Sequence, residues 1–376
     1  MTKLATEIRW MDRRFKMPVE RIKLTEQLGY DAVFTAEGTG TDALTPLGYV
    51  AAITSRIKLG THVASLTARP PTVLAQAFQT IDAMAGGDRI IVGLGNSLPS
   101  YCEGWHGKAW GTKPIRRMRD YVDVMRQVFR GDGPHDQEGN EIQNSELIWE
   151  HERARLRKPV TMQSSEISIP YAGPGALGMK PWVSLLETGP NNPPIVLPAI
   201  GPQMISVAAE IADGWFPMGF APGIMNTYEP LLQAGFDKAG NGKGFDNFDI
   251  WALVDVMVSD DVAAGIDVFR VYVVEYAELM RGQMEALGYT GVCDRLQELV
   301  KAGKREEALA AVPEDFVDNG YLIGSHERIA KRLKAWLDSG ATGLIFRYGP
   351  QVGAGVGKFK EDMDVYKTIA KAAHKL

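Results

Sequence analysis

DRIIVGLGNS, residues 88–97, carries no polar side chain from Ile90 to Gly95. A strand with one wet face alternates apolar and polar residues; a run that is apolar throughout needs cover on both faces, the pattern of a parallel strand flanked by helices. Working outward, PTVLAQAFQTIDAM (71–84) reads as an amphipathic helix stopped by Gly86 and Gly87. Before it, IKLGTHVAS (57–65) alternates Ile57, Leu59, Thr61 and Val63 with Lys58, Gly60, His62 and Ala64, the two-residue period of a strand. His62 thus follows the glycine face, where backbone or ligand can come close.

The same alternation extends along the chain. Strands are expected at 4–10, 30–37, 57–65, 88–97, 193–202, 213–220, 249–259 and 342–348. Helical patterns separate them, among them PVERIKLTEQLG, DALTPLGYVAAITS, PQMISVAAEIA, VAAGIDVFRVYVVEYAELM and HERIAKRLKAWLDSG. Eight strands alternating with helices imply an α/β fold, a (β/α)8 TIM barrel over 1–376 as a single domain. Two segments break the rhythm: a polar, Gly- and Pro-rich insertion at 131–192, between strands four and five and expected over the active-site face, and extra helices at 282–324 before strand eight.

Composition narrows the function classes. The 376 residues are 45% hydrophobic and carry a formal charge of -5, which gives no general attraction to nucleic acid or an acidic membrane. Only Cys102 and Cys293 are present, without disulfide or metal-ligand spacing, which suits a reducing cytoplasm. The start MTKLATEIRW lacks a charged segment followed by an apolar run, and no stretch approaches the roughly 18 apolar residues that span a bilayer. A small-molecule partner is expected.

In such a barrel the informative residues end strands: Trp10 and Asp12, Glu37 and Gly38, His62 to Ser65, Gly95 to Ser97, Ile200 to Pro202, and Met218. One strand-end histidine and no HxH pair argue against a metal, so no metal ligands are assigned. Neither cysteine has an evident histidine partner and there is no GxSxG elbow, which argues against nucleophilic hydrolysis. Asp12 and Glu37 suit either a glycosidase pair or a hydrogen-bonded structural pair. GLGN (93–96) lacks the third glycine of a dinucleotide fingerprint; it is either a close approach for a ring or phosphate or a tight strand exit. AIGPQM (199–204) places a glycine before a helix whose free amides suit an anion, although Pro202 also fits a first helical turn without one. His106 is either a substrate-facing acid or a cap. Arg69 pairs with an anionic cofactor group or a nearby carboxylate, and EHERARLRK (150–158) reads as a solvated face.

Four runs together resemble the bacterial-luciferase-like family, and more narrowly its coenzyme F420-dependent oxidoreductases. They are LGTHVASLTARPPTVLAQAFQTIDAMAGGDRIIVGLGNS (59–97), PIRRMRDYVDVMRQVF (114–129), PAIGPQMISVAAEIADGWFP (198–217) and EALAAVPEDFVDNGYLIGSHERIAKRL (307–333). The resemblance covers nearly the whole chain. It implies a flavin-like tricycle at the carboxyl ends of the strands, resting on a cis bulge at the bond from His62 to Val63. Ala64 and Ser65 continue that shelf, and Gly95, Asn96 and Ser97 match the loop beside the ring or its ribityl chain. Ala199, Ile200, Gly201 and Pro202 match the turn toward the tail and phosphate, and Glu37 matches the acidic corner ending strand two.

The sugar-phosphate dehydrogenase branch has Asp-His at the end of strand two and a glutamate after the glycines of strand four. Here Glu37-Gly38 and Leu98 stand there, so the acid–base pair that hydroxyl oxidation needs is missing. An F420-dependent hydride transfer on a carbonyl, enone or alcohol substrate is expected, with Glu37 for proton management or ring positioning and His106 and Tyr101 on the substrate side; Trp10, Trp105 and Met218 suit an apolar pocket. The alternatives are an FMN-dependent monooxygenase and a non-catalytic flavin-binding barrel. Relatives are often dimers, so a homodimer is expected.

Overall fold

The computed structural model describes residues 1–8, 15–130, 158–186, 191–349 and 361–374, in two compact units, Met1–Ala36 with Val196–Leu376, and Glu37–Ile195. Trp10, Asp12 and half of the 131–192 insertion, with the charged run at 150–157, lie outside the described residues. The strands in chain order are β1 (Lys3–Ile8), β2 (Ala32–Thr35), β3 (Lys58–Thr61), β4 (Ala64–Ser65), β5 (Ile90–Gly95), β6 (Met162–Gln163), β7 (Ser168–Ile169), β8 (Ile195–Ala199), β9 (Gly214–Pro217), β10 (Asp249–Val258), β11 (Leu322–Gly324) and β12 (Gly343–Tyr348).

In the first unit β2, β1, β12, β10, β9 and β8 pair in that order, all parallel, and β11 adds to β10. The register sets Trp251 opposite Gly343 and Asp255 opposite Arg347. Residues an even number apart share a face, so Trp251 and Asp255 point the same way. Near one end of that face the rings of Phe34, Phe216 and Trp251 meet edge to face, with centroids 5.6 and 5.3 Å apart. A methyl at Gly343 would come within 2.3 Å of the indole, so only glycine fits beneath Trp251. Further along, Arg347 donates two hydrogen bonds of 2.7 Å to the Asp255 carboxylate and lies 3.8 Å from Glu7, all three buried.

In the second unit β3 and β4 each pair in parallel with β5. Every residue of β5 is buried, as its unbroken apolar run predicts. Thr61 supplements the ladder: its hydroxyl donates to the Gly93 carbonyl at 2.7 Å and accepts from the Gly93 amide at 3.0 Å. The helix Pro71–Met84 packs through Leu74, Ala75 and Phe78, and the helix Pro114–Arg130 buries Val124, Met125 and Val128.

Several elements differ from the sequence pattern. The strand expected over 57–65 is broken at residues 62–63 into β3 and β4, so its alternation does not run through. The long helix expected from 262 divides at Tyr276 into Val262–Glu275 and Ala277–Ala286; no Gly or Pro marks the break. Residues 322–324, expected in a helical stretch, form β11, since three residues are too few to show a period. The helix Asp364–His374 was not anticipated. Among the described residues no helix is long and apolar enough to cross a membrane, and no three His, Cys, Asp or Glu side chains gather to hold a metal.

Candidate active site

The peptide bond from His62 to Val63 is cis, at the position the resemblance implies. His62 and Val63 are half-buried, whereas Ala64 and Ser65 are buried by pairing with Leu94 and Gly95. That pairing, with the Leu66 amide on the Gly95 carbonyl at 3.0 Å, brings the 62–65 stretch beside the 95–97 loop. The Glu37 amide joins them by donating to the Val63 carbonyl at 3.3 Å. The expected residues of the second unit therefore form one cluster.

The loop after β5 is tied down on one side only. The Asn96 amide nitrogen donates to the Pro114 carbonyl at 3.3 Å, and the buried Cys102 thiol to the Asn96 carbonyl at 3.3 Å. The side-chain oxygen of Asn96 is buried and accepts no hydrogen bond among the described residues. Ser97 has φ 64°, the left-handed region that non-glycine residues seldom occupy and that recurs at binding sites.

His106 has a partner that sequence did not reveal. Its Nδ1 lies 2.8 Å from the Thr67 hydroxyl, which lies 3.1 Å from the Ser65 hydroxyl and 3.3 Å from the Cys102 sulfur. Which of Thr67 and His106 donates depends on the imidazole tautomer. Thr67 is 39 residues from His106, so only folding brings the pair together. Tyr101 is half-buried in the short helix Pro99–Gly104, and Trp105 is exposed.

Of the two partners open to Arg69, the carboxylate is the one observed. Its guanidinium donates to Glu37 at 2.6 Å, and Asp42 is 3.6 Å away. The Tyr121 hydroxyl donates to the Arg69 carbonyl at 2.8 Å. Burial pushes that phenol far above its ordinary pKa; the Arg69 cation opposes the shift and Glu37 adds to it. Burial would also raise the Asp42 carboxyl, but hydrogen bonds from Thr45 and the Leu44 amide, with Arg69 nearby, outweigh it and hold the group below the usual range.

In the first unit, Ala199 ends β8, and its carbonyl accepts from the Trp215 indole at 3.0 Å. Ile200 is exposed, Gly201 precedes the helix Pro202–Ile211, and Pro202 occupies its first turn. Met218 is half-buried after β9.

Solved structures share this architecture. A coenzyme F420-dependent tetrahydromethanopterin reductase from Methanopyrus kandleri matches with TM-score 0.73 at 19% identity, over 99% of this chain and 98% of that one. An F420-dependent secondary alcohol dehydrogenase, solved with an F420–acetone adduct, matches with TM-score 0.66 at 16% identity, over 99% and 98%. The fold class is the (β/α)8 barrel, with β3 and β4 as one interrupted strand and β11 as an addition. The chain belongs to the family described as luciferase-like monooxygenase, which it matches over residues 5–343. A Mycobacterium tuberculosis protein named "Putative coenzyme F420-dependent oxidoreductase Rv3520c" is 33% identical over 342 residues, 88% of this chain and 90% of that one.

Proposed function

We propose that this protein is an oxidoreductase that binds coenzyme F420 and transfers a hydride between the deazaflavin ring and a small organic substrate bearing a carbonyl, enone or alcohol. The observation that carries the reading is the 33% identity, across nine tenths of both chains, to a protein whose name joins that cofactor to that reaction class. The donor set fits the group. The buried Asn96 oxygen has no donor among the described residues, and a deazaflavin offers an imide N–H and ribityl hydroxyls. When bound, the ring supplies a carbon that gives or takes a hydride.

The chain's own residues orient and protonate. His62, Val63, Ala64 and Ser65 provide the supporting shelf, with Gly95, Asn96 and Ser97 at its edge. Glu37 positions this corner rather than moving a proton, because Arg69 already engages its carboxylate at 2.6 Å. The Ser65, Thr67 and His106 chain holds a proton beside the shelf, and Tyr101 lies on the substrate side. In the first unit, the turn at Ala199, Ile200, Gly201 and Pro202 opens a helix whose first amides suit an anion. Action in the cytoplasm, which the two cysteines without disulfide spacing suit, and as a homodimer, which rests on the family resemblance, belongs to the same proposal. The family description favours a second reading, FMN-dependent monooxygenation.

Mixing the protein with reduced F420 and a panel of enones, ketones and aldehydes without oxygen tests the reaction. Substrate-dependent return of the oxidised cofactor's absorbance is expected, and His106→Ala should lower kcat about a hundredfold while leaving F420 affinity unchanged. Turnover that requires oxygen, or none with any substrate, contradicts the reading.

A further inference from the structure

The loop that leaves the shelf, Leu66 to Pro71, borders a cavity of about 450 Å³ within the second unit. Its charged lining consists of Arg69, Lys108, Arg117 and Glu166. Arg69 is committed to Glu37 and Asp42, which leaves two cations facing one carboxylate on a chain of net charge -5.

Arg117 is only 9% exposed. One guanidinium nitrogen donates to the Trp110 carbonyl, and the cation lies 5.8 Å from the centre of the Trp110 ring. Its Nε is 3.7 Å from Glu166, too long for a hydrogen bond, and has no acceptor among the described residues. A buried charged donor without an acceptor is costly, by an amount that a bound anion would remove. Lys108 is exposed at the rim and has no ion-pair partner among the described residues.

Gly111 keeps the space beside this cation open. Its φ is +77°, and a methyl there would sit 2.9 Å from the Arg117 nitrogen and 3.7 Å from the Glu166 oxygen. An alanine would therefore be strained and would crowd the guanidinium.

We infer that this cavity is an anion site in which Arg117 and Lys108 hold a phosphate or carboxylate group. Thr67 borders the cavity and also belongs to the chain of hydrogen bonds to His106, so the anion belongs to a ligand lying along the shelf. That ligand is either the acidic tail of the cofactor or an anionic substrate. The choice between them rests on the F420 reading; the site itself does not.

The full-length protein is titrated with inorganic phosphate at constant ionic strength, following Trp110 emission as the difference from Trp110→Phe. A saturable response is expected, about tenfold or more weaker in Lys108→Ala and Arg117→Met and lost in Gly111→Ala. Lys108→Ala changes only an exposed side chain, so it keeps the test valid if a buried variant misfolds. In a second arm, F420 and the ring-and-ribityl form lacking phosphate and tail are titrated against each variant. Selective weakening of F420 assigns the anion to the cofactor, and unchanged binding of both assigns it to the substrate. No phosphate response in the wild type, or one unchanged by all three substitutions, overturns the site. If the wild type binds neither deazaflavin, the cofactor reading fails and the phosphate arm alone judges the cavity.

Discussion

Arg69 illustrates how one side chain can organise a corner and close off an alternative role. Its link to Glu37, a carboxylate only 9% exposed, is formed at burial where loss of one partner leaves the other desolvated. Arg69→Met should destabilise the protein by about 1–3 kcal/mol in urea titrations, and adding Glu37→Gln should recover part of that loss. Simple additivity of the two changes would show that the pair is not coupled. Asp42 makes a separate, pH-dependent contribution. A carboxyl held below its ordinary pKa stabilises the fold above the unfolded value, and that stability disappears as pH falls through the folded one. Asp42 is more than a third exposed, so solvent screening keeps its share small: Asp42→Ala should cost no more than about 1 kcal/mol at neutral pH, with the gap to wild type narrowing as pH falls through the folded carboxyl's lowered pKa. A gap that stays constant as the pH is lowered across the acid range would count against the assignment.

At the scale of elements, β5 was legible because every residue from Ile90 to Gly95 is apolar, and the helix Pro71–Met84 because its apolar positions recur on one face. β11 was not legible, being three residues long, and the break at 62–63 leaves no mark in the smooth alternation across it, so that only the family resemblance pointed to it. The strand-end residues of the candidate site were legible for the same reason as the strands. Their partners were not: Thr67 meets His106 across 39 residues, and Arg69 meets Glu37 across 32. Nothing in the sequence singles out Arg117; folding places it against Trp110 and Glu166. The backbone pairing of β3 with β5 is extended by one hydroxyl, since Thr61 serves both the amide and the carbonyl of Gly93. Thr61→Val keeps the volume but leaves two buried backbone groups short of a partner, and should lower stability by about 1–3 kcal/mol in thermal or urea unfolding. An unchanged midpoint would show that the ladder does not need the hydroxyl.

For the molecule as a whole, a parallel sheet supplies rigid strand ends and the connecting loops supply chemistry. The first unit places rings near one end of a sheet face and the Glu7, Arg347 and Asp255 cluster further along it. The second unit gathers Glu37, the broken strand, the Asn96 loop and the His106 chain. The central claim is that the cluster of the second unit accommodates a deazaflavin ring. Titrating the purified protein with F420 and FMN in parallel tests it most directly. Micromolar binding of F420 with no measurable binding of FMN is the predicted result, and tight FMN binding with none for F420 would contradict it.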